Sequence, residues 1–460
     1  MKKLLLTFIV IFALKGNSQV TTILTFSGTT NGDGPESSLY YDGTFLYGTT
    51  ANGGTNNNGT IFKIKPDGSG YIKLLDLSGI TNGRRPGGSL ISDGTFLYGM
   101  TFYGGVNDSG TIYKIMPDGT NFTKLLDFAG SSNGSCPNGS LYYDGIFLYG
   151  MTALGGVNNG GVIFKIKPNG TGYVKLLDFN FPTYGSNPGG SFFYDGVYLY
   201  GITPNGGFFG AGTIFKIKPD GSSYTQLSDF SSTDARLPSG SLISDGTFLY
   251  GVTTSGGINN EGAIFKIKPD GTSYLKIFDF ALTSSGNEPW GSLYYDGTFL
   301  YGMTEYGGAN SDGVLFKIMP DGTNFIKLLD FAGSLNGSRP YGSLISDDTF
   351  LYGTTYTGGT NDSGTVFKFQ YSFAGIEQYI ISTEQVNIYP NPNNGNFVIE
   401  PQNTLYNVCC TVYDVNGRTV LTQTINGRTT IDAGSLNEGV YNVSLQSNEG
   451  VVNKRLVIVH

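Results

Sequence analysis

The sequence predicts an all-β protein: a seven-bladed β-propeller with four-stranded blades, followed by a small C-terminal β-sandwich. Three observations support this prediction. Gly accounts for 71 of the 460 residues and aromatic residues for 14%, whereas only 13% are charged, which favours tight turns and buried strands. One segment recurs seven times at an almost constant period. The last copy of the repeat lacks its final segment, and a segment similar to the missing one precedes the first copy.

The recurring segment reads Ser-Leu-Tyr-Tyr-Asp-Gly-Thr-Phe-Leu-Tyr-Gly or a close variant. We number the repeats one to seven by the last tyrosine of this segment. These tyrosines are Tyr47, Tyr98, Tyr149, Tyr200, Tyr250, Tyr301 and Tyr352. Such constant spacing is typical of structural units that each pack against their neighbours.

Each repeat is predicted to hold four short strands, called a to d. In repeat two these cover 89–92, 96–101, 111–116 and 122–128. Turns at Asp93-Gly94 and Pro117-Asp118-Gly119 separate a from b and c from d, because Gly tolerates positive φ. Four antiparallel strands at this period are typical of a propeller blade. Side chains alternate along a strand, so the repeated lysine of strand c, such as Lys114, is predicted to be solvated.

The two ends of the repeat array predict a closed ring. Repeat seven stops after its strand c (365–369) and lacks a strand d. The segment 22–27, ahead of the first strand a, resembles the strand d segment 124–129. We therefore expect the N-terminal strand to complete blade seven, which would remove the exposed sheet edges of an open array.

The N-terminus has the pattern of a secretory signal peptide. Lys2 and Lys3 precede an apolar run over 4–14 that is too short to span a bilayer, and small residues at 16 and 18 suit cleavage before Gln19. No other stretch is long enough to span a membrane. Without Lys2, Lys3 and Lys15 the chain has 24 basic and 35 acidic residues, a net charge of −11, which argues against binding nucleic acid or anionic lipid. The predicted domains are a signal peptide (1–18), the propeller (19–373), a linker (374–385) and a C-terminal domain (386–460).

The seven Tyr-Gly segments and the Gly-Gly loops that follow them resemble the GloVer tandem-repeat family over most of residues 20–370. This resemblance implies a bacterial exported protein, often with an interchangeable C-terminal anchor. It implies no established activity.

The last 75 or so residues change character and resemble the type IX secretion C-terminal sorting domain. The residues that carry this resemblance are Pro390, Pro392, Gly395, Arg418, Gly439, Tyr441 and Lys454. The resemblance implies recognition by the type IX secretion machinery and export through the periplasm across the outer membrane. Removal of the domain usually follows, with release or attachment to surface lipopolysaccharide. The alternative for Gly439 and Tyr441 is that they only shape a turn and a core.

Candidate catalytic chemistry is sparse. The single histidine, His460, lies at the end of the C-terminal domain, which excludes a histidine-based triad, metal site or general base from the repeats. The Gly-Gly loops carry Asn and Asp, for example Asn107 and Asp108, which could bind calcium, but turn formation explains them better. We predict no cofactor, no metal and no catalytic residue.

The two faces of the predicted propeller differ. The a-to-b and c-to-d turns are nearly invariant, whereas the d-to-a and b-to-c loops vary and share the other face. A Pro-x segment stands before each strand a, and its residues would ring the mouth of a central channel if strand a is innermost. The candidate ligand-binding residues on this face are Glu36, Arg85, Tyr103, Asn138, Glu288, Trp290, Tyr306, Arg339 and Tyr341. Such aromatic, arginine and acidic side chains suit a sugar or a peptide.

Three functions remain open from the sequence. The first is a cell-surface or secreted binding module for carbohydrate or a surface protein. The second is an extracellular polysaccharide-acting enzyme that uses carboxylates at the channel mouth, such as Glu36, Glu288 or Glu305, and would need two of them about 5–10 Å apart. The third is a structural surface protein.

Overall fold

The computed structural model describes residues 20–181, 183–231, 235–371, 386–401, 408–414, 419–425, 427–447 and 450–459. The predicted signal peptide and linker lie outside these residues. The chain divides into two compact units, Met1–Tyr371 and Ser372–His460. No helix in the described parts of the chain has the length and apolar character needed to cross a membrane.

The first unit is all-β, and its described residues form seven separate antiparallel sheets, one for each repeat. The N-terminal strand is β1 (Val20–Thr25). The first sheet contains β2 (Tyr40–Tyr41), β3 (Leu46–Thr50), β4 (Thr60–Ile64) and β5 (Ile72–Asp76). The second contains β6 (Arg84–Pro86), β7 (Ile91–Ser92), β8 (Leu97–Tyr103), β9 (Thr111–Ile115) and β10 (Thr123–Asp127). The third contains β11 (Ser135–Pro137), β12 (Tyr142–Tyr143), β13 (Leu148–Leu154), β14 (Val162–Ile166) and β15 (Val174–Asp178).

The remaining sheets follow the same order. The fourth contains β16 (Gly189–Tyr194), β17 (Leu199–Thr203), β18 (Thr213–Ile217) and β19 (Thr225–Asp229). The fifth contains β20 (Arg236–Ser244), β21 (Leu249–Ser255), β22 (Ala263–Ile267) and β23 (Leu275–Asp279). The short helix α1 (Leu282–Ser285) precedes the sixth, which contains β24 (Tyr294–Tyr295), β25 (Leu300–Thr304), β26 (Val314–Ile318) and β27 (Ile326–Asp330). The seventh contains β28 (Ile345–Ser346), β29 (Phe350–Thr355), β30 (Thr365–Gln370) and β1.

Each described sheet is open and does not close on itself. In the first six sheets the spatial order of the strands matches their order in the chain, as predicted for strands a to d. In the seventh, β1 pairs with β30 from Thr25 opposite Thr365 to Val20 opposite Phe369. The N-terminal strand therefore takes the place that strand d holds in the other repeats.

Consecutive sheets pack against one another through buried side chains. The ring of Phe128, after β10, meets Phe164 of the third sheet edge-on, with centroids 5.4 Å apart. The ring of Phe26, after β1, meets Phe62 of the first sheet in the same way at 5.2 Å. All four side chains are fully buried. The apolar cores of this unit thus lie between neighbouring sheets, and the seventh sheet packs against the first.

The repeated Tyr and Asp form one hydrogen-bonded turn in every sheet. In repeat two, Asp93 Oδ1 accepts the main-chain N–H groups of Thr95 and Phe96. The Tyr98 hydroxyl donates to Asp93 Oδ2 at 2.7 Å. Burial of the tyrosine and this carboxylate raise the pKa of Tyr98. The invariance of both residues therefore has a structural cause.

The prediction that the strand c lysine is solvated is wrong. The ammonium of Lys63 donates to the carbonyl of Pro117 in the next repeat at 2.8 Å, and it lies 4.7 Å from the centroid of the Phe45 ring. Lys368 of repeat seven donates in the same way to the carbonyl of Pro66 in repeat one. Because sheets flank the lysine on both sides, strand alternation alone does not expose it.

The second unit contains two antiparallel sheets in its described residues. Its strands are β31 (Val386–Tyr389), β32 (Asn396–Pro401), β33 (Val408–Tyr413), β34 (Thr419–Ile425), β35 (Thr429–Asp432), β36 (Gly439–Ser447) and β37 (Gly450–Ile458). One sheet has the order β31-β32-β35 and the other β34-β33-β36-β37. Both contribute to one hydrophobic core that includes Phe397, Val412 and Tyr441.

Candidate functional site

A cavity of about 840 Å³ is lined by residues from all seven repeats. Its wall comes mainly from two positions that flank the proline before each strand a. The pre-proline position holds Gly34, Arg85, Cys136, Asn187, Leu237, Glu288 and Arg339. The post-proline position holds Glu36, Gly87, Asn138, Gly189, Ser239, Trp290 and Tyr341. All seven post-proline residues line the cavity, as do Arg85, Asn187, Leu237, Glu288 and Arg339.

The pre-proline residue has a left-handed backbone in every repeat. Its φ lies between 52° and 62°, a region that residues other than Gly, Asn and Asp seldom adopt. Its N–H donates to a carbonyl in the b-to-c loop of the preceding repeat, from Arg85 to Asn58 at 2.9 Å and from Gly34 back to Ser363 at 3.0 Å. The left-handed backbone at this position therefore recurs in all seven repeats together with a hydrogen bond to the preceding repeat.

A set of seven serines, one from each repeat, also lines the cavity: Ser38, Ser89, Ser140, Ser191, Ser241, Ser292 and Ser343. The main-chain N–H of Ser89 donates to the hydroxyl oxygen of Ser140 at 2.8 Å, and that of Ser343 to Ser38 at 2.7 Å. These bonds connect each of six repeats to the next one, including repeat seven to repeat one. Sequence reasoning missed this role, although the constant serine at the repeat period was the signal.

Arg85 and Glu36 form one ion pair of the cavity wall. The guanidinium donates from Nε to Oε1 at 3.2 Å and from Nη2 to Oε2 at 3.3 Å, so both carboxylate oxygens are engaged. Glu36 holds the pKa of Arg85 above its ordinary value. Because this contact uses one edge of the guanidinium, the other edge can donate to a ligand.

Arg339 forms the second pair, with Glu305. The Glu305 carboxylate is buried behind the wall, and its Oε1 accepts from Arg339 Nε at 3.0 Å and from Nη2 at 2.6 Å. The Tyr341 hydroxyl donates to the same oxygen at 2.5 Å. The guanidinium also lies 5.1 to 5.6 Å from the ring centroids of Tyr306, Tyr341 and Tyr356. These contacts fix one arginine and one tyrosine at the cavity surface.

Aromatic rings extend along one side of the cavity. Trp290 and Tyr341 have ring centroids 5.9 Å apart, and Tyr341 and Tyr356 meet edge-on at 5.4 Å. All three line the cavity, and Trp290 is 40% exposed. Phe102 lines it beside Arg85. The aromatic and charged groups thus come from repeats one, two, six and seven.

The opposite side of the cavity, formed by repeats three to five, presents smaller and neutral groups. Asn138, Asn187, Gly189, Leu237 and Ser239 line it there. A ligand in this cavity therefore meets two chemically different walls.

Two of the predicted residues stand outside the lining. Tyr103 packs against Phe102, with ring centroids 4.6 Å apart, and against the guanidinium of Arg84. The ring of Tyr306 contacts the guanidinium of Arg339, with its centroid 5.1 Å away. The other predicted ligand-binding residues, Glu36, Arg85, Asn138, Glu288, Trp290, Arg339 and Tyr341, come together in the cavity wall.

The Asn and Asp side chains of the Gly-Gly loop in repeat two are engaged in hydrogen bonds within that repeat. Asp108 Oδ1 accepts the N–H of Gly104 at 2.8 Å, and Asn107 donates to the carbonyl of Phe128. Among the described residues, no group of three or more acidic, Cys or His side chains is placed to hold a metal ion.

Comparison with known protein families decides the identity of the repeats. The Gloeobacter/Verrucomicrobia repeat matches four times, over residues 10–192, 84–260, 143–299 and 244–421. The chain belongs to this repeat family. A second family, the secretion system C-terminal sorting domain, matches residues 387–459 of this Gloeobacter/Verrucomicrobia repeat protein. The type IX sorting domain indicates export to a secreted or outer-membrane surface location and engagement of the secretion machinery.

The predicted sorting residues have defined places in the repeat protein's second unit. Pro390 and Pro392 follow β31, and the carbonyl of Gly395 accepts the N–H of Ala433 at 2.6 Å. Gly439 begins β36, and the largely buried Tyr441 donates its hydroxyl to the carbonyl of Asn437. Lys454 lies in β37, and Arg418 falls outside the described residues.

No curated protein matches the repeat protein. Among solved structures, it is similar to the extracellular domain of a candidate one component system of B. thetaiotaomicron, with a TM-score of 0.51 and 14% identity over 96% of this chain and 58% of that one. It is also similar to a puromycin-hydrolyzing peptidase of Mycobacterium tuberculosis, with a TM-score of 0.51 and 12% identity over 83% of this chain and 61% of that one. The chain thus spans about three fifths of the length of these relatives. At this identity the similarity shows the fold alone, an all-β, β-propeller-like architecture.

Proposed function

We propose that the repeat unit is a seven-bladed β-propeller, closed into a ring by β1, and that it acts as a non-catalytic module that binds carbohydrate in its cavity. The observation that carries the binding role is the cavity wall. It joins Trp290, Tyr341 and Tyr356 to two arginines that are each held by a carboxylate.

Contacts between consecutive repeats support the ring. Repeat seven contacts repeat one through the same bonds that join the other repeats, namely Gly34 N–H to Ser363 and Ser343 N–H to Ser38. The pairing of β1 with β30 supports closure by the N-terminal strand. Such closure would protect the edge of β30 from pairing with another chain.

The chemistry of the wall supports carbohydrate as the ligand class. A sugar ring offers an apolar face that stacks on an aromatic ring, and hydroxyls that need directed donors and acceptors. Trp290 and Tyr341 offer the aromatic surface, and the guanidinium edges of Arg85 and Arg339 offer donors. Because Glu36 and Glu305 pair with these arginines, neither arginine contributes uncompensated positive charge.

The same pairs argue against the enzyme alternative. Glu36 has both oxygens on Arg85, and Glu305 is buried against Arg339 and Tyr341. Glu288 is then the remaining acidic group among the described cavity-lining residues, whereas glycoside hydrolysis uses two carboxyl groups. A purely structural role does not explain a polar, aromatic-lined cavity.

We further propose that residues 1–18 are a signal peptide, that 19–373 form the propeller, and that 374–385 link it to the sorting domain at 386–460. After export the propeller would be released or attached to surface lipopolysaccharide. Mass spectrometry of the protein from culture supernatant and from outer membranes would give its two termini and any attached glycan.

A glycan array with the full chain tests the binding role. We expect binding to a defined set of glycans, loss of binding in Trp290→Ala, and no change in Phe208→Ala. Phe208 is the matched control because it is an exposed aromatic residue outside the cavity lining. Turnover of a polysaccharide would favour the enzyme alternative. Capture of a surface protein through Trp290 without glycan binding would favour a protein ligand.

A further inference from the structure

The ionisable side chains of the cavity wall do not pair completely. Among the described lining residues, the acidic and basic side chains are Glu36, Arg85, Glu288 and Arg339. Glu36 pairs with Arg85, and Arg339 pairs with the buried Glu305 behind the wall. Glu288 has no ion pair or side-chain hydrogen bond among the described residues. Of the lining residues that the structure describes, Glu288 is therefore the one carboxylate that forms no ion pair with a protein cation.

Main-chain contacts fix the backbone from which this side chain extends. Glu288 occupies the pre-proline position of repeat six with a φ of 54°. Its N–H donates to the carbonyl of Glu261, and its carbonyl accepts the N–H of Glu305, both at 3.0 Å. Burial and the negative charges of Glu305 and Glu261 raise the pKa of Glu288, and Arg339 opposes them. A ligand cation near Glu288 would relieve this repulsion.

An aromatic face stands two residues further along the chain. Trp290 lines the same cavity, is 40% exposed, and is held against Tyr341. Indole is the aromatic side chain that attracts cations most strongly, and a carboxylate beside it adds a charge-assisted hydrogen bond. A primary ammonium group can use both at once, because it carries three donors and a full positive charge.

We propose that Glu288 and Trp290 form a subsite for the ammonium group of an amino sugar whose nitrogen is not acetylated. This inference rests on the proposed carbohydrate binding and names the class of sugar. A glucosamine residue would stack near Trp290 and place its charged amine against the Glu288 carboxylate. N-acetylation would remove the charge and two of the three donors.

The test compares two oligosaccharides that differ in this group alone. Titration calorimetry on the full chain at about pH 6, where an amine is protonated, would use the hexamer of glucosamine and the hexamer of N-acetylglucosamine. We expect the glucosamine hexamer to bind about tenfold more tightly, the ratio that one charge-assisted contact supplies. Glu288→Gln should abolish this preference, because the variant has no carboxylate charge to distinguish the amine from the acetamide.

Glu261→Gln is the matched control, because Glu261 adds negative charge near Glu288 and does not line the cavity. It should retain most of the preference for the amine. Equal binding of the two hexamers to the unmodified protein would overturn the ammonium subsite and leave carbohydrate binding standing. Failure of both hexamers and of every glycan on the array would overturn carbohydrate binding itself. Unchanged thermal unfolding of Glu288→Gln would show that its effect is local.

Discussion

Replacement of Phe26 by alanine tests whether the N-terminal strand is an integral part of the fold. The Phe26 side chain is fully buried, its ring packs edge-on against Phe62, and its N–H donates to the carbonyl of Gly364. Phe128 has the same surroundings in repeat two, with Phe164 and the carbonyl of Gly110. Loss of a buried phenylalanine ring costs about 3–5 kcal/mol of unfolding free energy. We expect both substitutions to fall in this range and to agree within about 1 kcal/mol.

Urea unfolding followed by tryptophan fluorescence provides the assay. Trp290 is the only tryptophan of the chain, so its emission reports on the repeat unit and not on the sorting domain. Ile80→Ala is the surface control, since Ile80 is 74% exposed and its loss should cost less than about 0.5 kcal/mol. Phe26→Ala could instead lower the unfolding free energy as little as Ile80→Ala does, while Phe128→Ala lowers it by about 3–5 kcal/mol. That result would refute the claim that the N-terminal strand is an integral part of the fold.

Further predictions concern packing, the ion pair and protonation. Gly150→Ala should destabilise the repeat unit by about 1–3 kcal/mol in the same urea assay, because its Cβ would lie 2.5 Å from Cζ of Phe164; a neutral effect would contradict the packing. Glu305→Gln should lower the unfolding free energy by about 2 kcal/mol, less than a fully buried pair would lose because a third of the Arg339 side chain is exposed. Thermal unfolding monitors this loss, and an unchanged midpoint would count against it. Binding of the glucosamine hexamer should weaken as pH falls through the raised pKa of Glu288, since the protonated carboxyl no longer attracts an ammonium. Calorimetry from about pH 7 to pH 4 should show this acid limb, and Glu288→Gln should lack it.

The strand order of each repeat could be predicted because turn residues and alternation are local signals. The length of strand a could not. Residues 89–92 were predicted as one strand, but of these residues only Ile91 and Ser92 pair with β8. The N–H of Ser89 is directed to Ser140 of the next repeat instead. This bond between repeats, which the alternation within one strand does not encode, takes the N–H of Ser89 out of the ladder of its own sheet.

The sequence predicted where the candidate site lies, but not which side chains form ion pairs there. The variation before each strand a pointed to the residues that line the cavity, including Trp290 and Tyr341. The partners Arg85 and Glu36 stand 49 residues apart, close to one repeat, so the repeat period offered a signal for this pair. Arg339 and Glu305 are 34 residues apart, and that separation follows from the b-to-c loop of one repeat meeting the next. Only the structure places Glu305 behind the wall.

The pre-proline position has a consequence for how this protein can change. Its backbone is left-handed and its N–H donates to a carbonyl of the preceding repeat, whichever side chain it carries. Arg, Cys, Asn, Leu, Glu and Gly all occur there, and none of the seven residues is β-branched. β-branched residues fit this conformation worst. The backbone therefore restricts the shape of the side chain at this position, but not its charge or polarity. Evolution, or a designed library, can therefore alter the seven positions separately and obtain new specificities without rebuilding the fold.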